Sequence, residues 1–154
     1  PLIDPEIIDM VINTHKHKNA DYTANVINPT FPDGLDCEVM NFSTLLRVWE
    51  NARLKSEREH VTLYIRNNPE IFKIASVENN IDLSSLRWTL DENEDLELIK
   101  SIYDKLFIIN PFFLMSDILG LLEKNSTLSK INNMHIRNEG LLKSLSEDKQ
   151  IEER

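Results

Sequence analysis

Apolar positions along this chain of 154 residues alternate between helical and strand spacing. The opening segment places Ile7, Ile8, Val11 and Ile12 on one helical face. Asp4 suits the N-cap, Pro5 the first turn, and Glu6 and Asp9 the positive pole of the dipole, while Asn19 marks a stop. Residues 21–25 (DYTAN) read as extended, and 28–34 (NPTFPDG) as turn chemistry. In 35–40, Leu35, Cys37 and Val39 alternate with Asp36, Glu38 and Met40, the period of a half-buried strand. Ser43 is then placed to cap a helix through Leu54, with Leu45, Leu46 and Trp49 as its apolar face. Ser56 and Glu59 match a capping box before Val61, Leu63, Tyr64 and Ile65, and Asn67-Asn68-Pro69 ends that helix.

The second half continues the alternation. Residues 71–77 predict another strand and 86–90 (LRWTL) a short one. Asp91, with Glu94 three residues on, opens a helix over 94–107 whose stripe is Leu96, Ile99, Ile102, Tyr103 and Leu106. Ser116 caps a further helix through Glu123, and 138–147 predicts a last one. Helices interleaved with at least three strands argue for α/β layering rather than a bundle. Repeats, low-complexity runs and linker-like stretches are absent, so 1–147 reads as one α/β domain followed by a polar tail, 148–154.

Composition narrows the function. The three glycines, Gly34, Gly120 and Gly140, lie too far apart for any self-contained glycine-rich phosphate loop. Seventeen basic against 26 acidic residues give a net charge of −9, which disfavours nucleic acid and anionic membrane surfaces as partners. The longest apolar stretch, 106–115, is broken by Asn110 and Pro111 and is too short to span a bilayer. A lone Cys37 excludes an internal disulfide and points to a reducing, cytoplasmic setting. Its neighbours Asp36 and Glu38 oppose thiolate formation, so it is no nucleophile.

Four groups of polar residues invite a chemical reading beside a plain one. His15 and His17 point in opposite directions on a helix, so they do not share a metal ion and read as surface residues at a helix end. The acidic run 91–97 serves helix capping; it equally presents a carboxylate at a strand end, where α/β sheets place ligands and where Mg²⁺ needs only one or two protein carboxylates. Arg58, Glu59 and His60 share one helical turn, either as a solvated face or as a fork for an anion. Asp36 and Glu38 project to one strand face, able to hold sugar hydroxyls or simply its wet side. No convincing nucleophile–base pair is legible, so no catalytic residue is assigned.

Taken together, PLIDPEIID, DYTAN with PTFPDGLDCEVM, SEREHVTLYI and RWTLDENEDLELIKSIYDKL resemble the spore coat polysaccharide biosynthesis protein F family. That family belongs with the CMP-sugar synthetases, the acylneuraminate and 3-deoxy-manno-octulosonate cytidylyltransferases. The resemblance runs from Pro1 to about Ser146. It implies a nucleotide-diphospho-sugar transferase fold (GT-A, Rossmann-like, three-layered) represented by its C-terminal portion, without the N-terminal strand and basic glycine loop that hold the nucleotide. It implies that Asp91 binds Mg²⁺, although Glu92-Asn93 follows it where relatives usually carry Thr-Pro. It implies that Asn25, Asp36, Glu38, Arg58, Glu59, His60 and Thr62 line the sugar side of the cleft. The reaction it implies is CTP plus sugar to CMP-sugar plus pyrophosphate, with this chain inactive alone and a homodimer expected. Phe112, Phe113 and Leu114 are suspects for the contact. The alternatives are a non-catalytic dimerisation module derived from that family, or a glycosyltransferase on the same fold.

Overall fold

A computed structural model of the chain describes residues 1–135, 137, 141 and 144–148. In chain order its elements are α1 (Pro5–Lys18), β1 (Tyr22–Ala24), β2 (Glu38–Met40), α2 (Phe42–Asn51), α3 (Lys55–Glu59), α4 (Leu63–Asn67), β3 (Ile74–Ser76), α5 (Asn93–Leu106) and α6 (Met115–Lys124), with a 3-10 turn at Leu128–Lys130. Residues 144–148 are helical; the rest of the last predicted helix, in 138–143, lies largely outside the described residues, as do 149–154 of the polar tail.

The sheet has three strands in the order β2-β1-β3. β1 runs antiparallel to β2, with Thr23 opposite Val39, and parallel to β3, with Thr23 opposite Ala75. Alternation sends Tyr22 and Ala24 to one face of the sheet, where they join Val48, Ala52, Ile65 and Phe72 in one apolar cluster. Thr23 points to the other face and meets α1. The larger cluster joins Ile7 and Val11 of α1 to Leu98, Ile99 and Ile102 of α5 and Ile118 and Leu122 of α6, with Phe31, Leu35 and Trp88 between them. Helical layers therefore cover both faces of a small mixed sheet. No helix among the described residues is long and apolar enough to cross a membrane.

α1 starts as the sequence predicts. Asp4 Oδ1 accepts from the Glu6 N–H at 2.9 Å, and Asn19 closes the helix in a left-handed conformation at φ 46°. The second Asp4 oxygen accepts from Met115 N–H, also at 2.9 Å, so one buried carboxylate caps α1 and α6 together. Asp117, not Ser116, returns a carboxylate oxygen to the Leu114 N–H.

Several predicted features differ. His15 is buried, not superficial: its Nδ1 lies 3.0 Å from Thr23 Oγ1 and its Nε2 3.3 Å from Asn41 Oδ1. Asn41 turns its amide toward Ala20 O, which leaves its oxygen to accept from Nε2–H. Both ring nitrogens thereby have a hydrogen-bond partner. α2 begins after Asn41 rather than Ser43, and turns Thr44 and Val48 inward while Leu45, Leu46 and Trp49 face solvent. The helix predicted from Ser56 is two short ones, α3 and α4, and Glu57 supplies the carboxylate that accepts from the Arg53 and Leu54 N–H groups. The 86–90 strand reduces to one bridge, Asp33 with Arg87. Along α5, Leu98 takes the inward position and Leu96 is exposed.

Candidate functional site

The head of α5 is organised by a carboxylate that the sequence reading passed over. Asp95, at the third helical position, is 0% exposed. Its two oxygens accept from Arg87 Nε at 3.0 Å and Nη2 at 2.8 Å, from Asn132 Nδ2 at 2.8 Å, from the backbone N–H groups of Asp91 and Glu92 at 3.0 Å each, and from Thr89 Oγ1 at 3.3 Å. Burial pushes this carboxyl up, but Arg87, Asn132 and the two amides outweigh it and hold it well below the usual carboxylate range. Asp91 is therefore not the N-cap; Glu92 stands there. Freed from capping, Asp91 points outward with its side chain 68% exposed, 3.2 Å from Arg87 Nη2.

Gly34 brings a second limb to this node. At φ 101° it packs so closely on the Trp88 backbone that a Cβ would lie 2.6 Å from Trp88 C and O. That approach lets Asp33 N–H bond Leu86 O and Trp88 N–H bond Asp33 O, at 2.9 and 2.7 Å. Asp33 then lies 3.5 Å from Arg87 Nη1 and 3.5 Å from Arg137 Nε, and Arg137 Nη2 reaches Asp36 Oδ1 at 2.7 Å. A chain of ion pairs results: Asp36, Arg137, Asp33, Arg87, Asp91. Four carboxylates, counting Asp95, surround two guanidinium groups, and the negative excess lies toward the exposed ends, Asp36 and Asp91. Burial raises the Asp33 pKa against the pull of both arginines.

The remaining predicted residues fall into two smaller groups. Glu38 does not act with Asp36; its Oε1 accepts from Tyr22 OH at 2.9 Å and Thr62 Oγ1 at 3.1 Å. Burial, then the Glu38 charge, pushes the Tyr22 hydroxyl above its ordinary pKa. Asn25 is 1% exposed and extends the β1–β2 ladder with its side chain, donating to Leu35 O and accepting from Cys37 N–H, both at 2.8 Å. Cys37 is held protonated by burial and then by Glu38. In the other group, Ser144 Oγ donates to Glu59 Oε2 at 3.0 Å and lies 3.1 Å from His60 Nε2. Arg58 donates to Trp49 O at 2.9 Å and keeps its side chain exposed.

The structure thus joins Asp36 to Asp91 through Asp33, Arg87 and Arg137, and Glu38 to Thr62, while Asn25 serves the backbone. Arg87, Asp33, Asp95 and Asn132 escaped the sequence reading. Spacing offered one signal: Arg87, Asp91 and Asp95 recur every four residues. Among the described residues no three His, Cys, Asp or Glu side chains converge on one point. The donor type at Asp91 is nonetheless a hard oxygen, suited to Mg²⁺ completed by phosphate oxygens.

Comparison with known proteins places these features in context. The family model described as Cytidylyltransferase matches residues 1–144. Spore coat polysaccharide biosynthesis protein SpsF of Bacillus subtilis (strain 168) is 34% identical over 128 residues, covering 81% of this chain and 52% of that protein. An uncharacterized protein of Methanocaldococcus jannaschii is 34% identical over 137 residues, covering 86% of this chain and 54% of its own length. Among solved structures, a cytidylyltransferase from Leptospira borgpetersenii serovar Hardjo-bovis has a TM-score of 0.80 at 31% identity, covering 90% of this chain and 57% of that one. The chain spans about half the length of the curated relatives it matches.

Proposed function

This chain belongs to the cytidylyltransferase family, and from that premise we propose that it forms the sugar-side and metal-side portion of an enzyme that makes a CMP-sugar for surface polysaccharide synthesis. A sugar hydroxyl attacks the α-phosphate of CTP, the new P–O bond forms as the bond to pyrophosphate breaks, and the hydroxyl proton passes to solvent. The fold is accordingly read as part of a GT-A-type nucleotide-sugar transferase. The observation that carries this reading is Asp91: an exposed carboxylate fixed at the head of α5 by a fully buried Asp95 and a forked Arg87.

Within that reading, Asp91 would hold Mg²⁺, its carboxylate being the hard oxygen donor that ion takes. The ion, when bound, offsets charge on the phosphates as pyrophosphate departs. Arg87 keeps the Asp91 carboxylate at one place, and Asp95 fixes the backbone that carries it. Asp36, Glu38 and Thr62 on one side, and Arg58, Glu59 and His60 on the other, bind sugar hydroxyls. Such a reaction relies on positioning and charge more than on proton transfer. The partner in solution is a second copy of this chain.

The chain has no glycine-rich phosphate loop, so the 154 residues alone are expected to release no pyrophosphate from CTP with Mg²⁺ and a panel of sugars. Robust turnover would refute that part of the reading. Adding in trans the N-terminal half of a longer relative is expected to restore pyrophosphate release, and Asp91→Asn to abolish the restored activity; restored activity indifferent to Asp91→Asn would refute the metal assignment. A second reading, a non-catalytic interaction module, is favoured by the outward apolar face of α2. It predicts self-association without any activity in the complemented assay.

A further inference from the structure

One hydroxyl reaches the residues assigned to the sugar side from the far end of the chain. Ser144 is 4% exposed, and its Oγ bonds Glu59 and His60 across separations of 85 and 84 residues. Its helical stretch, 144–148, is fastened to α3 at two further points. Lys55 pairs with Glu147, and Asp148 Oδ1 accepts from the Ser56 N–H at 3.3 Å. The His60 backbone is fixed as well: its N–H donates to Ser56 O at 2.7 Å, and its carbonyl accepts from the Leu63 N–H at 2.8 Å.

Counting protons decides what each group does. The Glu59 carboxylate only accepts, so the Ser144 proton goes to Glu59 Oε2 at 3.0 Å. That hydroxyl then has only lone pairs to offer His60 Nε2, 3.1 Å away. For this contact to be a hydrogen bond, Nε2 must carry the proton and donate it. A neutral imidazole has one N–H, which leaves Nδ1 as an acceptor. Among the described residues none bonds Nδ1, and the half-buried ring keeps that edge within reach of solvent. His15 differs, because Thr23 and Asn41 take both of its nitrogens.

We propose that Ser144 is a positioning residue for His60: it passes the pull of Glu59 to the ring and fixes the proton on Nε2, so that Nδ1 accepts a hydrogen bond from a sugar hydroxyl. The inference rests on the sugar-side reading above and deepens it. With Glu59 also an acceptor, these two residues select groups that bring protons, which hydroxyls do and a carboxylate does not.

Nitrogen-15 NMR of the full chain reads the tautomer directly above the titration midpoint of the ring. The expected spectrum has Nε2 of the protonated type and Nδ1 of the bare type. Ser144→Ala is expected to speed exchange of the Nε2 proton at least about fivefold, the loss of one hydrogen bond, and Ser144→Thr to restore it. Glu59→Ala frees the Ser144 proton to point at the ring, so Nε2 should move toward the bare type. A hydroxyl that merely fills space would leave the tautomer alone. The indole signal of buried Trp88, unchanged across the set, reports that each variant is folded. A ring protonated on Nδ1, or one indifferent to both Ser144→Ala and Glu59→Ala, overturns the role of Ser144. Adding the sugars of the turnover panel is expected to move the Nδ1 signal. If none moves it while the tautomer is as expected, the sugar contact alone is overturned.

Discussion

α2 and α5 carry apolar stripes of similar clarity in the sequence, yet they use them in opposite directions. α5 turns Leu98, Ile99 and Ile102 into the larger core, and its polar head is locked by Asp95 and Arg87. α2 turns only Thr44 and Val48 inward and offers Phe42, Leu45, Leu46 and Trp49 to solvent. Helical spacing therefore encodes a face that requires a cover, without saying whose atoms supply it. Where the cover comes from the same chain, neighbouring polar groups are consumed in fixing the helix. On α2, where the large apolar residues stay exposed, Glu50, Arg53 and Arg58 line the depression beside Trp49.

The contrast can be broken most severely at the α5 head. Asp95→Ala leaves Arg87, Asn132 and two backbone N–H groups without their acceptor, and should cost about 3–5 kcal/mol in urea unfolding; a change below 1 kcal/mol would show the node to be dispensable. Asp95→Asn, which keeps an acceptor oxygen, should cost less. On the buried stripe, Ile102→Ala should cost about 2–5 kcal/mol through lost burial and a residual cavity. Between the two helices, Tyr22 tests the smaller cluster by pH. Its pKa is raised in the folded chain by burial and by Glu38, so its contribution is complete below the unfolded value of about 10 and is lost as pH rises above it. Alkaline denaturation should become shallower in Tyr22→Phe; identical curves would dismiss the linkage. The smallest effect belongs to the exposed stripe: Leu46→Glu should move monomer stability by no more than about 0.5 kcal/mol, and a loss as large as that of Ile102→Ala would mean that α2 packs within its own chain.

Much of this architecture was legible because the signals were local. Asp4, Pro5 and Asn19 mark the ends of α1, where capping chemistry depends on a few adjacent residues. The alternation in 35–40 found β2, although only Glu38–Met40 pairs. The family was legible from the order and spacing of four segments, and the matched region of 1–144 agrees with it. What escaped was long-range. His15 reads as a surface residue until Thr23 and Asn41 are seen beside it. The 86–90 segment looks strand-like because Leu86 and Trp88 are apolar, but its one strand-type pairing among the described residues is the bridge between Asp33 and Arg87. Asp36 and Glu38 share a strand period, yet Arg137 takes one and Tyr22 and Thr62 take the other. Asp95 looked like one acid among several in DENEDLE, and only Arg87 and Asn132 reveal it as the buried one.

The Asp4 carboxylate caps α1 and α6 across a separation of 111 residues. During synthesis α1 can form early, but the second oxygen of its cap must wait for Met115. At about 5–20 residues per second that interval is roughly 5–20 s. Pulse-labelled hydrogen exchange during refolding should therefore find the Met115 amide among the last to be protected, after those of α1; early protection would show that α6 docks without its shared cap. The start of the chain thus holds an unfilled valence that its own later residues complete, and α6 acts as the clasp that closes the fold.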